Sequence, residues 1–340
     1  KFITTYCDEY KIANISVQAW GGEPLLEKNK IIALTKFITP QKTKVHYSIE
    51  TNATLLTNDV IEELYKNHIG IGISIDGDRK CHDLQRTFVS GKGSYDTVKK
   101  NLLQAQRYYK NKIGTITTIT KQTAVHIEKI IEHLVLDLHI SNIKLNFVHA
   151  STYTHGQNQC LNTQEIADTE LRILYKIIEL QERGYDVMEH NIFIKLKNLL
   201  FREYADICLS CGCCGGKKMI VFDMDGNIYP CELTDDASFV IGSIYKKESL
   251  IEQIKMTIDK DKAFFKMKKA VECEKCYWKF FCRGGCTVRA LSEKRQMEVI
   301  DIDHIECAIN QVLYPALMEL VLRKPHIVNQ MLGEDLLVDE

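Results

Sequence analysis

The distribution of cysteine constrains this chain more than any other feature. Of 13 cysteines in 340 residues, ten fall in one stretch: Cys208, Cys211, Cys213, Cys214, Cys231, Cys273, Cys276, Cys282, Cys286 and Cys307. Thiols at that density are disulfide partners or metal ligands. A chain of this length can bury a core of its own and does not need the bridges that hold small secreted scaffolds together. The spacing argues for metal. Cys273-Glu-Lys-Cys276 is a CxxC pair, with Cys282 and Cys286 following within a few residues. Two ligands on one tight turn let a loop wrap a metal centre with several thiolates at once. The neighbours Glu272, Lys275, Lys279, Arg283, Gly284 and Gly285 are loop-forming residues, unlike the apolar surroundings of a buried structural cysteine. The CxxC alone leaves zinc and iron–sulfur both open.

The wider order narrows the choice. Cys214 is followed by Gly226-Asn-Ile-Tyr-Pro-Cys231, then by Cys273, Cys276, Cys282, Cys286 and, after a gap, Cys307. This order resembles the SPASM extension of radical SAM enzymes, which holds two auxiliary [4Fe–4S] clusters. The resemblance implies one cluster on Cys208, Cys214, Cys231 and Cys286 and another on Cys273, Cys276, Cys282 and Cys307. Cys213 adjoins Cys214 and is an alternative to it, and Cys211 is a further spare.

The first half of the chain alternates strand-like and helix-like segments. Ile15 to Trp20, Lys44 to Glu50, Ile69 to Ile75, Gly114 to Thr120 and Asn142 to Phe147 read as strands. Amphipathic stretches separate them, including one from Thr57 or Asn58 to His68, one that Ser94 caps, and one from Val125 to Val135. Strand–helix repetition implies parallel strands with right-handed crossovers, and ligands at the carboxyl ends of the strands. The first strand runs into Gly21-Gly22-Glu23-Pro24. This turn resembles the GGE motif of radical SAM enzymes, which implies contact with the methionyl group of S-adenosylmethionine. By the same resemblance Glu50, Asn52, Ser74 and Asp76, at the ends of the next two strands, line the cofactor pocket. Arg86, in the loop after the third, meets the cofactor, meets the substrate or is simply solvated. His82, His149 and His190 have no partner spacing and read as structural.

The expected fold is therefore α/β: a partial (β/α)6 TIM-like radical SAM barrel lacking its first strand, followed by a Cys-rich SPASM domain. The expected limits are residues 1–150 for the barrel, 151–207 for linker helices, 208–310 for the iron–sulfur domain and 311–340 for a closing helix and tail. No CxxxCxxC occurs in the 340 residues, only Cys7 precedes Gly21, and the first residue is Lys1. These features are read as an N-terminal truncation that leaves the chain inactive on its own. The resemblance implies a peptide or protein substrate, hydrogen abstraction by a 5′-deoxyadenosyl radical, and an electron donor such as flavodoxin or ferredoxin. The expected reaction is thioether formation in a cysteine-containing ribosomal peptide. The alternatives are formylglycine formation in a sulfatase, with Glu232 after Cys231 as a catalytic base, or a non-catalytic iron–sulfur or zinc module for electron transfer or docking. A formal net charge of −1 offers no nucleic-acid surface. The run of thiols implies a reducing, cytoplasmic setting, and no membrane span is expected.

Overall fold

The computed structural model describes residues 2–38, 42–149, 156–201, 213, 215–216, 218–234, 237–246, 248–253, 271–292 and 302–333. The chain divides into two compact units, residues 1–146 with 172–191, and residues 147–171 with 192–340.

The first unit is built on a six-stranded sheet in sequential order. Its strands are β1 (Asn14–Ala19), β2 (Lys44–Thr51), β3 (Ile69–Ser74), β4 (Gly114–Ile119), β5 (Asn142–Phe147) and β6 (Met188–Glu189). β1–β2, β2–β3, β3–β4 and β5–β6 pair in parallel. Five strands match the sequence expectation. The sixth, β6, is two residues long, too short to show a period, and Glu189 holds it by accepting a 3.0 Å hydrogen bond from the Leu145 amide.

Each strand divides its residues between two faces. Ile69, Ile71 and Ile73 of β3 are buried, on the side of helices α3 (Asn58–Lys66) and α5 (Tyr95–Tyr109), which bury Ile61, Leu64, Val98, Leu102 and Ala105. Burial of each such isoleucine contributes roughly 1.5–3 kcal/mol. The other face is polar and small. Gln18, Ser48 and Gly70 lie level with one another, as do Glu50, Gly72 and Gly114 one step along, with Ser74 beyond. Gly72 in this row lets neighbouring side chains close over the strand: a Cβ there would fall 3.1 Å from Ile116 Cδ1 and 3.4 Å from Glu50 Cγ.

The 125–135 stretch is not one helix. α7 (Ile127–Glu132) gives way to a π-turn over His133–Asp137. Ser94 stands at the N-cap position of α5 without a side-chain cap bond. Asp83 does that work, its Oδ1 accepting from the Tyr95 amide at 2.9 Å.

The second unit contains α9 (His190–Phe201, begun in the first unit), an antiparallel sheet of β7 (Val221–Phe222), β8 (Asn227–Tyr229) and β9 (Gly242–Ser243), and helices α10 (Val271–Lys275), α11 (Lys279–Cys282), α12 (Thr287–Ser292), α13 (His304–Arg323) and α14 (Pro325–Leu332). β7 and β8 form the hairpin expected from the sequence, with Gly226 at φ 79° in its turn. Asp303 caps α13 by accepting from the Glu306 amide. By length and composition α13 is apolar enough to cross a membrane. It buries Asn310, Leu313, Tyr314, Leu317 and Leu320, a stripe along one face, while Met318 and Leu322 stay exposed.

Gly93 supplies a test of the α5 cap. A Cβ there would fall 2.1 Å from the Asp83 carboxyl. Gly93→Ala is expected to displace Asp83, uncap α5 and destabilise the fold by about 1–3 kcal/mol, read as a lower urea midpoint.

Candidate active site at the strand ends

The candidate site is assembled where β1, β2 and β3 end. After β1, Gly21 and Gly22 take positive φ values of 85° and 46°, a region that favours glycine, and a Cβ on either would meet nothing within 4 Å. The turn therefore presents bare backbone to open space. Pro24 starts a short 3₁₀ helix, Pro24–Glu27, capped by Glu23.

Glu23 binds more than its own turn. Its Oε1 accepts from the Leu25 amide at 3.0 Å and the Thr51 hydroxyl at 2.6 Å, and its Oε2 accepts from the Asn52 amide at 2.9 Å. One carboxylate thus joins the turn after β1 to the end of β2, through charge-assisted bonds. Asn52 is held in turn, its Oδ1 accepting from the amide and hydroxyl of Thr54. Asn101 of α5 donates to the Ala53 carbonyl at 2.8 Å.

Asp76 plays the same part after β3. It is buried, and four donor groups converge on it. The Thr118 amide, near the end of β4, donates to Oδ1 at 2.9 Å, and Gln85 donates to Oδ2 at 3.0 Å. Arg86 donates through Nε to Oδ2 at 2.6 Å and through a terminal nitrogen to Oδ1 at 3.4 Å. Gln85 also donates to the Thr118 carbonyl at 3.1 Å. Arg86 is thus an ion-pair partner of Asp76. The carboxylate fastens the ends of β3 and β4 to helix α4 (Arg79–Gln85).

His82 completes this network. It is fully buried, its Nδ1 lies 3.2 Å from the Asp76 amide, and its Nε2 lies 2.9 Å from Ser94 Oγ. Because the amide can only donate, Nδ1 accepts and the neutral ring carries its proton on Nε2. Ser94 Oγ donates onward to the Arg86 carbonyl at 2.9 Å. Burial pushes the His82 pKa down to about 4, against the pull of Asp76.

Of the eight cofactor residues expected from sequence, the structure joins Gly21, Gly22, Glu23, Pro24 and Asn52 into one bonded rim. Asp76 lies in its own buried network. Glu50 and Ser74 are half-buried on the polar face of the sheet. Thr51, Gln85 and Thr118 were not singled out by sequence reasoning. Threonine and glutamine at strand and helix ends carry no spacing signal, and only the Asp76 and Glu23 networks reveal them.

The thiols form a second region. Cys208, Cys211 and Cys214 lie outside the described residues. Among those described, Cys276, Cys282, Cys286 and Cys307 are free of disulfides. Cys273 and Cys276 share a turn, the Cys276 amide donating to the Cys273 carbonyl. Cys307, on the first turns of α13, has a thiol whose pKa is raised by burial and by the nearby Cys276. Gln311 donates toward Cys276 Sγ at 3.6 Å. Burial and Glu306 push the Cys282 thiol up to about 11. The Cys286 amide donates to Asp303 Oδ2 at 2.7 Å. Thus Cys276, Cys282, Cys286 and Cys307 gather about the head of α13. No described group of three or more His, Cys, Asp or Glu closes on a single ion. A multi-iron cluster takes its thiolates at wider separation than one ion does, and this all-sulfur donor set has the chemistry of iron–sulfur ligation. Glu232 follows Cys231, whose Sγ lies 3.7 Å from Glu232 Oε2.

Residues 5–134 match the model of the Radical SAM superfamily. This chain carries a radical SAM domain. It is homologous to a cysteine-type anaerobic sulfatase-maturating enzyme of Clostridium novyi (strain NT), with 26% identity over 78% of this chain and 71% of that enzyme. The radical SAM cyclopropyl synthase TigE of Paramaledivibacter caminithermalis is 23% identical over 90% of this chain and 60% of its own length. Among solved structures, native anSMEcpe with bound AdoMet and the Cp18Cys peptide shares the fold, with a TM-score of 0.78, 21% identity, and coverage of 94% of this chain and 87% of that one.

The His82 network carries a pH signature. Its folded pKa lies below the ordinary value of 6.5, so stability is complete above about pH 6.5 and is lost as pH falls toward 4. The loss approaches about 3 kcal/mol at the acid end. Urea unfolding at pH 7.5 and pH 4.5 is expected to show it, and His82→Gln is expected to flatten that part of the profile.

Proposed function

We propose that this chain is the body of a radical SAM enzyme that modifies a peptide or protein by hydrogen abstraction. The observation that carries the reading is the rim at the strand ends. Bare backbone at Gly21 and Gly22 faces open space, while Glu23 fixes the turn against β2. Half-buried Glu50 and Ser74 share one polar face of the sheet. Such a rim offers acceptors for a methionyl ammonium at the turn and polar groups for a ribose beside it. Glu23 acts there mainly by holding the backbone of residues 21–24 in place. S-adenosylmethionine and a reduced [4Fe–4S] cluster supply the hydrogen-abstracting radical in this chemistry.

The chain's own residues bind, orient and exclude water. Cys208, Cys214, Cys231 and Cys286 would hold one auxiliary [4Fe–4S] cluster, and Cys273, Cys276, Cys282 and Cys307 another. The 340 residues contain no CxxxCxxC, so the ligands of the catalytic cluster are not among them, and the chain as given is proposed not to cleave S-adenosylmethionine. Flavodoxin or ferredoxin is the proposed class of electron donor. The Cp18Cys peptide bound to anSMEcpe supports a peptide substrate here by likeness of fold.

The finer reading is thioether formation in a cysteine-containing peptide. A specific observation favours a second, formylglycine formation. The Glu232 carboxylate lies 3.7 Å from Cys231 Sγ, a carboxylate there would serve as a base, and the relatives include sulfatase-maturating enzymes. Glu232→Gln separates the two. In an active enzyme carrying the CxxxCxxC segment, the formylglycine reading expects product to fall by roughly 10²–10⁴ with 5′-deoxyadenosine still formed. Thioether formation expects a much smaller loss. Mass spectrometry of the peptide, beside chromatography of the nucleoside, distinguishes them.

A further inference from the structure

One buried charged network in the second unit has no part in the chemistry so far. Lys195, on α9, is only 5% exposed. Its ammonium donates to Glu306 Oε1 at 2.5 Å and Asn310 Oδ1 at 2.7 Å, and lies 5.6 Å from the Tyr314 ring centroid. On the far side of Glu306, Arg289 donates to Glu306 Oε2 at 3.3 Å and to both oxygens of Asp303, the shortest at 2.7 Å. The four charges, two of each sign, balance. Glu306 thus lies between two cationic side chains, and Asn310 also donates to its Oε1 at 3.1 Å.

Packing alone does not call for such a network. A buried ion pair rarely stabilises more than apolar residues of the same volume. Its neighbours give it another use. Cys282 lies near Glu306 and Lys195. Asp303 holds the Cys286 amide, and Glu306 immediately precedes Cys307. Asn198, one turn along α9 from Lys195, donates to the Phe281 carbonyl and the Tyr314 hydroxyl, both at 3.1 Å. Its own Oδ1 is buried without a partner. The polar interior is thus concentrated behind three of the ligand thiols.

We propose that Lys195 and Glu306 are positioning residues of opposite electrostatic effect, which together set the reduction potential of the auxiliary cluster ligated through Cys282 and Cys307. The inference rests on the cluster ligation proposed above. The physical ground is simple. One-electron reduction makes the cluster and its thiolates more negative by one charge. A buried cation nearby favours the reduced form and a buried anion disfavours it, and net charge and hydrogen bonding are the levers by which a protein sets such potentials.

The test is an anaerobic redox titration of the iron–sulfur-reconstituted full chain, followed by electron paramagnetic resonance, with iron and sulfide measured on each sample. Lys195→Met is expected to move one midpoint to a more negative value and Glu306→Gln to move the same midpoint to a more positive one. The double variant Lys195→Met/Glu306→Gln is expected to return close to wild type. Shifts in the same direction, or none with iron retained, would overturn the proposal, because a purely structural role predicts no opposition of sign. Where Lys195→Met loses iron, the double variant decides: iron retained with a midpoint near wild type supports the proposal, and iron lost again overturns it. A wild-type chain that takes up no iron and sulfide is a distinct result; it overturns the two-cluster ligation and this inference with it.

Discussion

Two carboxylates placed at strand ends hold the candidate site together. Parallel strands leave their terminal amides without ladder partners, and a polar group left unpaired in a buried place costs about 1–3 kcal/mol. Glu23 accepts from Leu25, Thr51 and Asn52, and Asp76 accepts from Thr118, Gln85 and Arg86. Each ties segments remote in sequence. Without them, the turn at Gly21 and Gly22 and the loops after β2 and β3 would have no fixed position relative to the sheet. Glu23 and Asp76 are thus both spent on donors within the protein, whereas the turn backbone at Gly21 and Gly22 meets open space and Glu50 and Ser74 are half-buried.

This division of labour was only partly legible in the sequence. The strands announced themselves because isoleucine alternates with glycine or serine across β3, and β-branched residues fill β4. The glycine pair and the polar strand ends marked the rim. The role of Asp76 was not readable, since an aspartate after a strand looks the same whether it meets a ligand or four protein donors. The cap of α5 was misassigned for a similar reason. Ser94 has the right residue type and position, yet its hydroxyl is drawn to His82 and the Arg86 carbonyl, and Asp83 takes its place. β6 has two residues and no period to detect, and the π-turn at His133–Asp137 interrupts a segment whose apolar spacing reads as continuous helix.

The thiol region shows the reverse balance. Its cysteine spacing was the clearest signal in the sequence, whereas the network that surrounds three of the thiols was invisible there. Lys195, Arg289, Asp303 and Glu306 come from three separate helices and the turn that precedes α13. Ordinary charged residues at those intervals read as solvated surface. Only the fold turns them inward, beside Cys282, Cys286 and Cys307. Ligand type is written locally in a chain, while the field around a ligand is a tertiary property.

The central claim is that the rim binds through backbone and through Glu50 and Ser74, with Glu23 and Asp76 as supports. A crystal structure of the reconstituted protein with S-adenosylmethionine tests it most directly. The account predicts the methionyl group along residues 21–24 and the ribose beside Glu50 or Ser74, with Glu23 still bound to the Asn52 amide and Asp76 to the Thr118 amide. A ligand bound away from this rim, or one coordinated by Asp76 after release of Arg86 and Thr118, would contradict it.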